Sequence, residues 1–213
     1  MRHGEVDNRN GVLYGRLPGY RLTELGHKMA RVSAESLQNQ GCDVIKVVAS
    51  PLLRAQQSAA PAGELFGAEV ESDARLVEAG NCFEGLRVHA QPLQLFHPKW
   101  WKYYTAPWRP SWGESYRQIA ERMTAVVSDT IDEVTGHEAL LVTHQSPIVV
   151  LRRFIEGRML AHLPTRRECA LASLTTLTFW GHTLVGLSYR EPAAPLLAEA
   201  HDMVPGKSSA QKR

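Results

Sequence analysis

Residues 44–54 read Val44-Ile45-Lys46-Val47-Val48-Ala49-Ser50-Pro51-Leu52-Leu53-Arg54, and the fold class turns on this stretch. A short β-branched run ending in a polar residue has the composition of a buried parallel strand. It passes directly into a helix from Leu52 to Phe66, which Gly67 closes. Upstream, Thr23 to Gln40 reads as a helix with Thr23 as N-cap. Its apolar Leu25, Met29, Val32 and Leu37 recur near helical spacing, and Gly41 is the stop. Downstream the alternation repeats. Glu114 to Val134 is a long amphipathic helix carrying Ile119, Met123, Val126, Val127 and Ile131. Ala139 to Thr143 is a second buried strand, with Ile148 to Ile155 the helix behind it. Leu171 to Phe179 and Leu184 to Tyr189, separated by Gly181-His182, read as a closing strand pair. Such alternation implies an α/β fold, a three-layer α/β/α arrangement with a mostly parallel central sheet.

The 213 residues suit one domain, expected over 1–192. Within it, residues 86–112 form an aromatic-rich insertion. Trp100, Trp101, Tyr103, Tyr104, Trp108 and Trp112 are interleaved with Pro92, Pro98, Pro107 and Pro110. Residues 193–213, ending Gly206-Lys207-Ser208-Ser209-Ala210-Gln211-Lys212-Arg213, have the composition of a disordered tail.

Charge is balanced: 24 Lys and Arg against 22 Asp and Glu give a formal net charge of +2. That excludes bulk electrostatics as a route to nucleic acid or a membrane surface, so anion binding must come from local placement of Arg and His. Cys42, Cys82 and Cys169 are widely spaced and odd in number, as free thiols in a reducing cytoplasm would be. No apolar stretch approaches the roughly 20 residues of a membrane span.

Sheets of this kind bind ligands beyond the carboxyl ends of their strands. Strand 44–50 delivers Arg54 to the first turn of the next helix, and strand 139–143 places His144 at its tip. Arg2-His3-Gly4 stands where a further strand tip would lie. Two histidines and two arginines thus converge on one sheet edge, the inventory of a phosphoryl-transfer site. One imidazole can attack phosphorus, and forked guanidinium groups can hold the equatorial oxygens. His89, His97, His137, His162 and His182 lack metal-ligand spacing, so neither a metal nor another cofactor is expected. No GxSxG elbow is present, and Ser146 is expected to cap the helix that Pro147 opens.

Arg2-His3-Gly4-Glu5, Gly15-Arg16-Leu17-Pro18-Gly19 and Leu22-Thr23-Glu24-Leu25-Gly26 resemble the opening of the histidine phosphatase superfamily, in its phosphoglycerate-mutase-like branch. Ser50-Pro51-Leu52-Leu53-Arg54-Ala55 resembles its second motif. Leu76-Val77-Glu78 with Phe83-Glu84-Gly85 resembles its acid-bearing segment, and Gly113-Glu114-Ser115 and Val142-Thr143-His144 complete the order. The resemblance implies His3 as phosphate acceptor, with Arg2, Arg54 and His144 in the phosphate pocket and Arg16 as a further phosphate-binding residue. It implies an Asn contact at Asn8 or Asn10. Glu78 is the implied proton donor, with Glu84 as runner-up, while Glu114 is expected to cap or orient at a helix start, where the macrodipole favours a carboxylate. The implied reaction is hydrolysis of a small organic phosphomonoester through a phosphohistidine. Mutase-type transfer is the alternative, and a non-catalytic phospho-ligand binder is the lesser one. Lys99, Lys102 and Arg109 do not reproduce the basic set with which true mutases hold a bisphosphorylated ligand. The aromatic insertion would be either an aromatic cluster covering the core or a lid over the site. The reading leaves room for a homodimer.

Family members lead into this motif through an apolar strand at the centre of the sheet, whereas this sequence opens Met1-Arg2. Loss of a central strand would cost more than the about 5–15 kcal/mol that stabilises a typical domain. The expectation is therefore a misassigned start, with Met1 at a valine position read from a GTG codon.

Overall fold

The computed structural model describes residues 1–87, 91, 93, 97–103, 113–163 and 166–203. Most of the aromatic insertion, including Tyr104, Trp108, Arg109 and Trp112, lies outside the described residues, as do residues 204–213.

The deciding stretch folds as its composition dictates: β1 (Val44–Ala49) runs into α2 (Leu53–Phe66), and α1 (Glu24–Asn39) precedes both. The remaining elements are β2 (Val70–Ser72), α3 (Tyr116–Glu133), β3 (Glu138–Val142), α4 (Gln145–Ile155), β4 (Leu174–Trp180) and β5 (Thr183–Arg190). β1 lies between β2 and β3 in a parallel three-stranded sheet, and β4 pairs antiparallel with β5.

Residues 1–3 join the two sheets. Arg2 forms a parallel bridge with Thr143, just past β3. Its N–H donates to Ser173 O, just before β4, and the Met1 amino group donates to Leu141 O. The position expected for a leading strand is thus held by a single bridged residue.

The alternation of each strand separates two cores. Val47, Ala49, Leu140, Val142, Met1 and Leu174 meet Ala34 and Leu37 of α1 and Ala55, Ala59 and Ala62 of α2. On the opposite face, Val48 meets Ile119, Met123 and Val126 of α3 and Val150 and Leu151 of α4. That is the three-layer arrangement. Its helix boundaries follow local rules. Thr23 caps α1 by accepting from Gly26 N, Ser115 and Gln118 form a capping box on α3, and Gly67 ends α2 at φ 64°.

Two expectations are corrected. α4 starts at Gln145 with His144 in the N-cap position, so Ser146 sits in the first turn rather than capping it. Residues 193–203, assigned by composition to a disordered tail, carry a 3₁₀ turn at Ala194–Leu196. There Ala193 is buried beside Met29 and Leu171. Met29 of α1 and Leu171 supply the apolar surface that the tail sequence lacks on its own.

Candidate active site

Each chemistry-bearing side chain is fixed by an element end. His3 is pinned by its backbone, its N–H donating to Thr143 O and its carbonyl accepting from Ala172 N. The next residue explains two of the sequence motifs at once. A Cβ on Gly4 would lie 2.4 Å from Gly26 O, and one on Gly26 would lie 2.1 Å from Glu5 O. Only paired glycines let the His3 loop pack against the first turn of α1. Gly4 N then donates to Ser58 Oγ, which donates to Arg54 O, so α2 and the His3 loop are tied together.

The His3 ring is 2% exposed, and its Nδ1 lies 2.7 Å from Gly4 O. A carbonyl only accepts, so Nδ1 carries the proton and Nε2 keeps its lone pair. Burial, then the charges of Arg54 and Arg2, hold its pKa well below the usual histidine value. His144 is fully buried, its ring centroid 5.1 Å from that of His3. It too is held well below its usual pKa, by burial and then by Arg54 and its neighbours. Its Nε2 lies 2.8 Å from Ser50 Oγ, at the tip of β1. With that hydroxyl donating, the imidazole proton sits on Nδ1, which has no hydrogen-bond partner.

Arg54 is 1% exposed. Nη2 donates to Gly15 O at 2.7 Å, and the guanidinium lies 4.7 Å from the Tyr14 ring centroid. Its buried Nε has no partner. Arg2 differs from expectation. Its fork is closed by Asp202, through Nη1 to Oδ2 at 2.6 Å and Nη2 to Oδ1 at 2.7 Å, and Nη1 also donates to Cys169 O. Burial opposes the charge on Arg2, but the Asp202 carboxylate more than offsets it and raises its pKa. Only the buried Nε remains unpartnered. Arg2 thus offers one N–H rather than a bidentate fork.

Other expected contacts also fall elsewhere. Arg16 braces the acid segment, with Nε to Glu78 O at 2.6 Å and Nη2 to Glu114 Oε2 at 2.7 Å. Glu114 in turn pairs with Arg122, while Ser115 is the N-cap of α3. Asn8 closes its own loop, bonding both ways with Val12 and reaching Met203 Sδ, while Asn10 is exposed. Glu84 Oε1 accepts from Arg16 N. The partly buried Glu78 engages only Oε1, which accepts from Ala79 N, and its charge is felt by Arg54 and Arg167. Ser50, Tyr14, Asp202 and Arg167 were not singled out by the sequence. Of these only Ser50, at a strand tip, carried a readable signal.

A sequence model of the histidine phosphatase superfamily (branch 1) matches residues 1–191. The chain belongs to this superfamily. The protein Rv0525 of Mycobacterium tuberculosis is 44% identical over 194 residues, covering 91% of this chain and 95% of that protein. A probable phosphoglycerate mutase, GpmB of Yersinia enterocolitica, is 29% identical over 182 residues, with 81% of each chain covered. Among solved structures, the mycobacterial glucosyl-3-phosphoglycerate phosphatase Rv2419c superposes with a TM-score of 0.68 at 26% identity. That likeness covers 89% of this chain and 93% of that one. The three-layer fold is therefore that of the superfamily, and its similar proteins include a phosphatase and a probable phosphoglycerate mutase. Among the described residues, no group of His, Cys, Asp and Glu is arranged to hold a metal ion, and no helix is long and apolar enough to cross a membrane.

Proposed function

We propose that the chain hydrolyses a small organic phosphomonoester through a phosphohistidine on His3. One observation carries the reading. Arg2 Nε, Arg54 Nε and His144 Nδ1 are buried and unpartnered, and they surround a histidine whose Nε2 lone pair is kept free. Leaving a buried donor unsatisfied costs about 1–3 kcal/mol. Three around one nucleophile support an oxyanion as their common partner.

In the first step Nε2 of His3 forms a bond to phosphorus as the P–O ester bond breaks. Glu78 gives its proton to the departing alkoxide, through the Oε2 that Ala79 leaves open. In the second step water attacks phosphorus, Glu78 takes the water proton, and the P–N bond breaks to return neutral His3. The Gly4 carbonyl keeps Nδ1 protonated throughout, which favours the cationic ring character of the phosphohistidine.

Mutase-type transfer, in which a second alcohol replaces water, is supported by the GpmB likeness alone. Of the three basic residues of the insertion, Lys99 is engaged over the Trp100 ring at 4.4 Å, which favours hydrolysis. The free thiols of Cys42 and the buried Cys169 support a reducing cytoplasm as its compartment.

The test combines phosphate release from p-nitrophenyl phosphate with isomerisation of 3-phosphoglycerate, each measured for the wild type and for His3→Ala. Hydrolysis lost in the variant and an acid-labile phosphoryl group on the wild type are expected. Hydrolysis that survives His3→Ala refutes the nucleophile.

A further inference from the structure

Arg167 lies in the segment between α4 and β4 and is held in place entirely by neutral acceptors. Its Nε donates to His162 Nε2 at 2.9 Å, and its Nη1 donates to Ser146 Oγ at 2.9 Å and to Gln145 Oε1 at 3.2 Å. The orientation is determined one step further out. His162 Nδ1 lies 2.6 Å from Leu160 O, so that nitrogen carries the proton and Nε2 must be the acceptor. Nη2 makes no hydrogen bond to any described residue, and Arg167 as a whole is only partly buried.

Two of these acceptors adjoin the site. Gln145 and Ser146 are the first two residues of α4, immediately after His144. The charge of Arg167 is coupled to Glu78, the proton donor proposed above, and to Arg2. Yet among the described residues it has no carboxylate within ion-pair distance, unlike Arg16 on Glu114 or Arg152 on Glu168. Burial, larger than the help from Glu78, holds its pKa down. A guanidinium partly withdrawn from water with no anion beside it is an unfavourable arrangement for folding alone. A planar fork oriented by three neutral acceptors, with one amino group free of hydrogen bonds to the described residues, is the arrangement of an anion receptor.

We infer that Arg167 is a specificity residue that binds a second anionic group, carried on the alcohol portion of the phosphomonoester. The inference rests on the hydrolase reading. It adds that the leaving group bears a negative charge within reach of the Glu78 side of the pocket. Arg167 touches substrate but not the reacting atoms, so its loss falls on discrimination between esters.

A matched pair of substrates isolates this role: 3-phosphoglycerate and glycerol 3-phosphate differ in a carboxylate that replaces a hydroxymethyl group. Wild type, Arg167→Gln and Arg167→Lys are compared by kcat/KM for release of inorganic phosphate from each ester, and thermal melts establish that each variant is folded. The wild type is expected to prefer the carboxylate ester. Arg167→Gln should lower the ratio of the two kcat/KM values about 30-fold, mostly through KM, and Arg167→Lys should restore part of it. A wild type that hydrolyses both esters equally, or a variant that lowers both in the same proportion, overturns the specificity role while leaving the hydrolase reading intact. A wild type that hydrolyses neither these esters nor p-nitrophenyl phosphate refutes the hydrolase reading, and the inference falls with it.

Discussion

Arg54 should be a residue whose removal stabilises the protein while disabling it. Its guanidinium is 1% exposed, yet its interactions are one hydrogen bond, to Gly15 O, and the face of Tyr14. These contribute about 1 kcal/mol and about 0.5–2 kcal/mol respectively. Against them stands the burial of a cation, several kcal/mol even after relaxation. Glu78 and Glu84 help only through space, and Arg2 opposes. Arg54→Met keeps the length and apolar character of the stem and leaves Gly15 O as the one orphaned acceptor. A net gain of about 1–2 kcal/mol is expected, which for a chain of this size raises Tm by about 3–6 °C. The same change removes a charged donor from the proposed pocket and should lower kcat/KM by about 10²–10³-fold or more. Inorganic phosphate links the two effects, because at about 100 times its Kd a ligand stabilises the folded wild type by about 2.7 kcal/mol. That shift should vanish in the variant. The assay is a thermal melt with and without phosphate, beside p-nitrophenyl phosphate kinetics. A variant that melts below the wild type and still responds to phosphate would refute the reasoning.

The two site imidazoles set a pH dependence. Their folded pKa values lie below that of the unfolded chain, about 6.5, so the unfolded chain binds more protons once pH drops below that value. Stability should therefore be fully present above pH 6.5 and fall on acidification. kcat, which is blind to ionisation of the free substrate, should show no acid limb at 6.5, and a limb there would contradict a neutral, buried His3. Ser50→Ala removes the partner of His144 Nε2 and should lower kcat about 10-fold with little change in KM, as read by steady-state kinetics; an unchanged kcat removes Ser50 from the positioning of that ring. Asp202→Asn leaves Arg2 buried without its counter-charge, so a loss of about 3 kcal/mol, seen as a drop in Tm, is expected. A Tm within 1–2 °C of wild type, about 0.5 kcal/mol, would mean that Asp202 is dispensable.

Much of the architecture is legible because it is written in local periodicity. β1, β3, all four helices and the closing hairpin follow from apolar spacing and stop residues. β2 did not, because Val70-Glu71-Ser72 is a three-residue edge strand with no apolar run, defined only by its pairing with Val47–Ala49. The proposed pocket is legible to the extent that it lies at strand tips and the helix start that follows one, as His3, His144 and Arg54 do. What escaped reading is what other segments do to those residues. Nothing around residue 202 announces a partner two hundred positions away, and Arg16 is indistinguishable in sequence from a phosphate ligand until Glu114 is seen to hold it. Asn8 likewise has the right spacing, but its amide closes the loop to Val12.

Charge compensation therefore sorts the arginines in a way that motif spacing cannot. Arg2 and Asp202 form a bidentate pair close to neutral, and both imidazoles are held in the neutral form, so none of the three contributes a net positive charge to the pocket. Among the described residues of the proposed site, the cations without an ion pair are Arg54, whose charge is felt by His3, and Arg167, which feels the charge of Glu78. An ester whose only charged group is its phosphate would engage the first and leave the second without an anion. An ester with a further anion on its alcohol would neutralise both. On the proposed reading, substrate preference then depends on this pair of guanidinium groups. Exchanging the charge at Arg167 should accordingly change which ester is selected, and exchanging it at Arg54 should abolish hydrolysis of every ester.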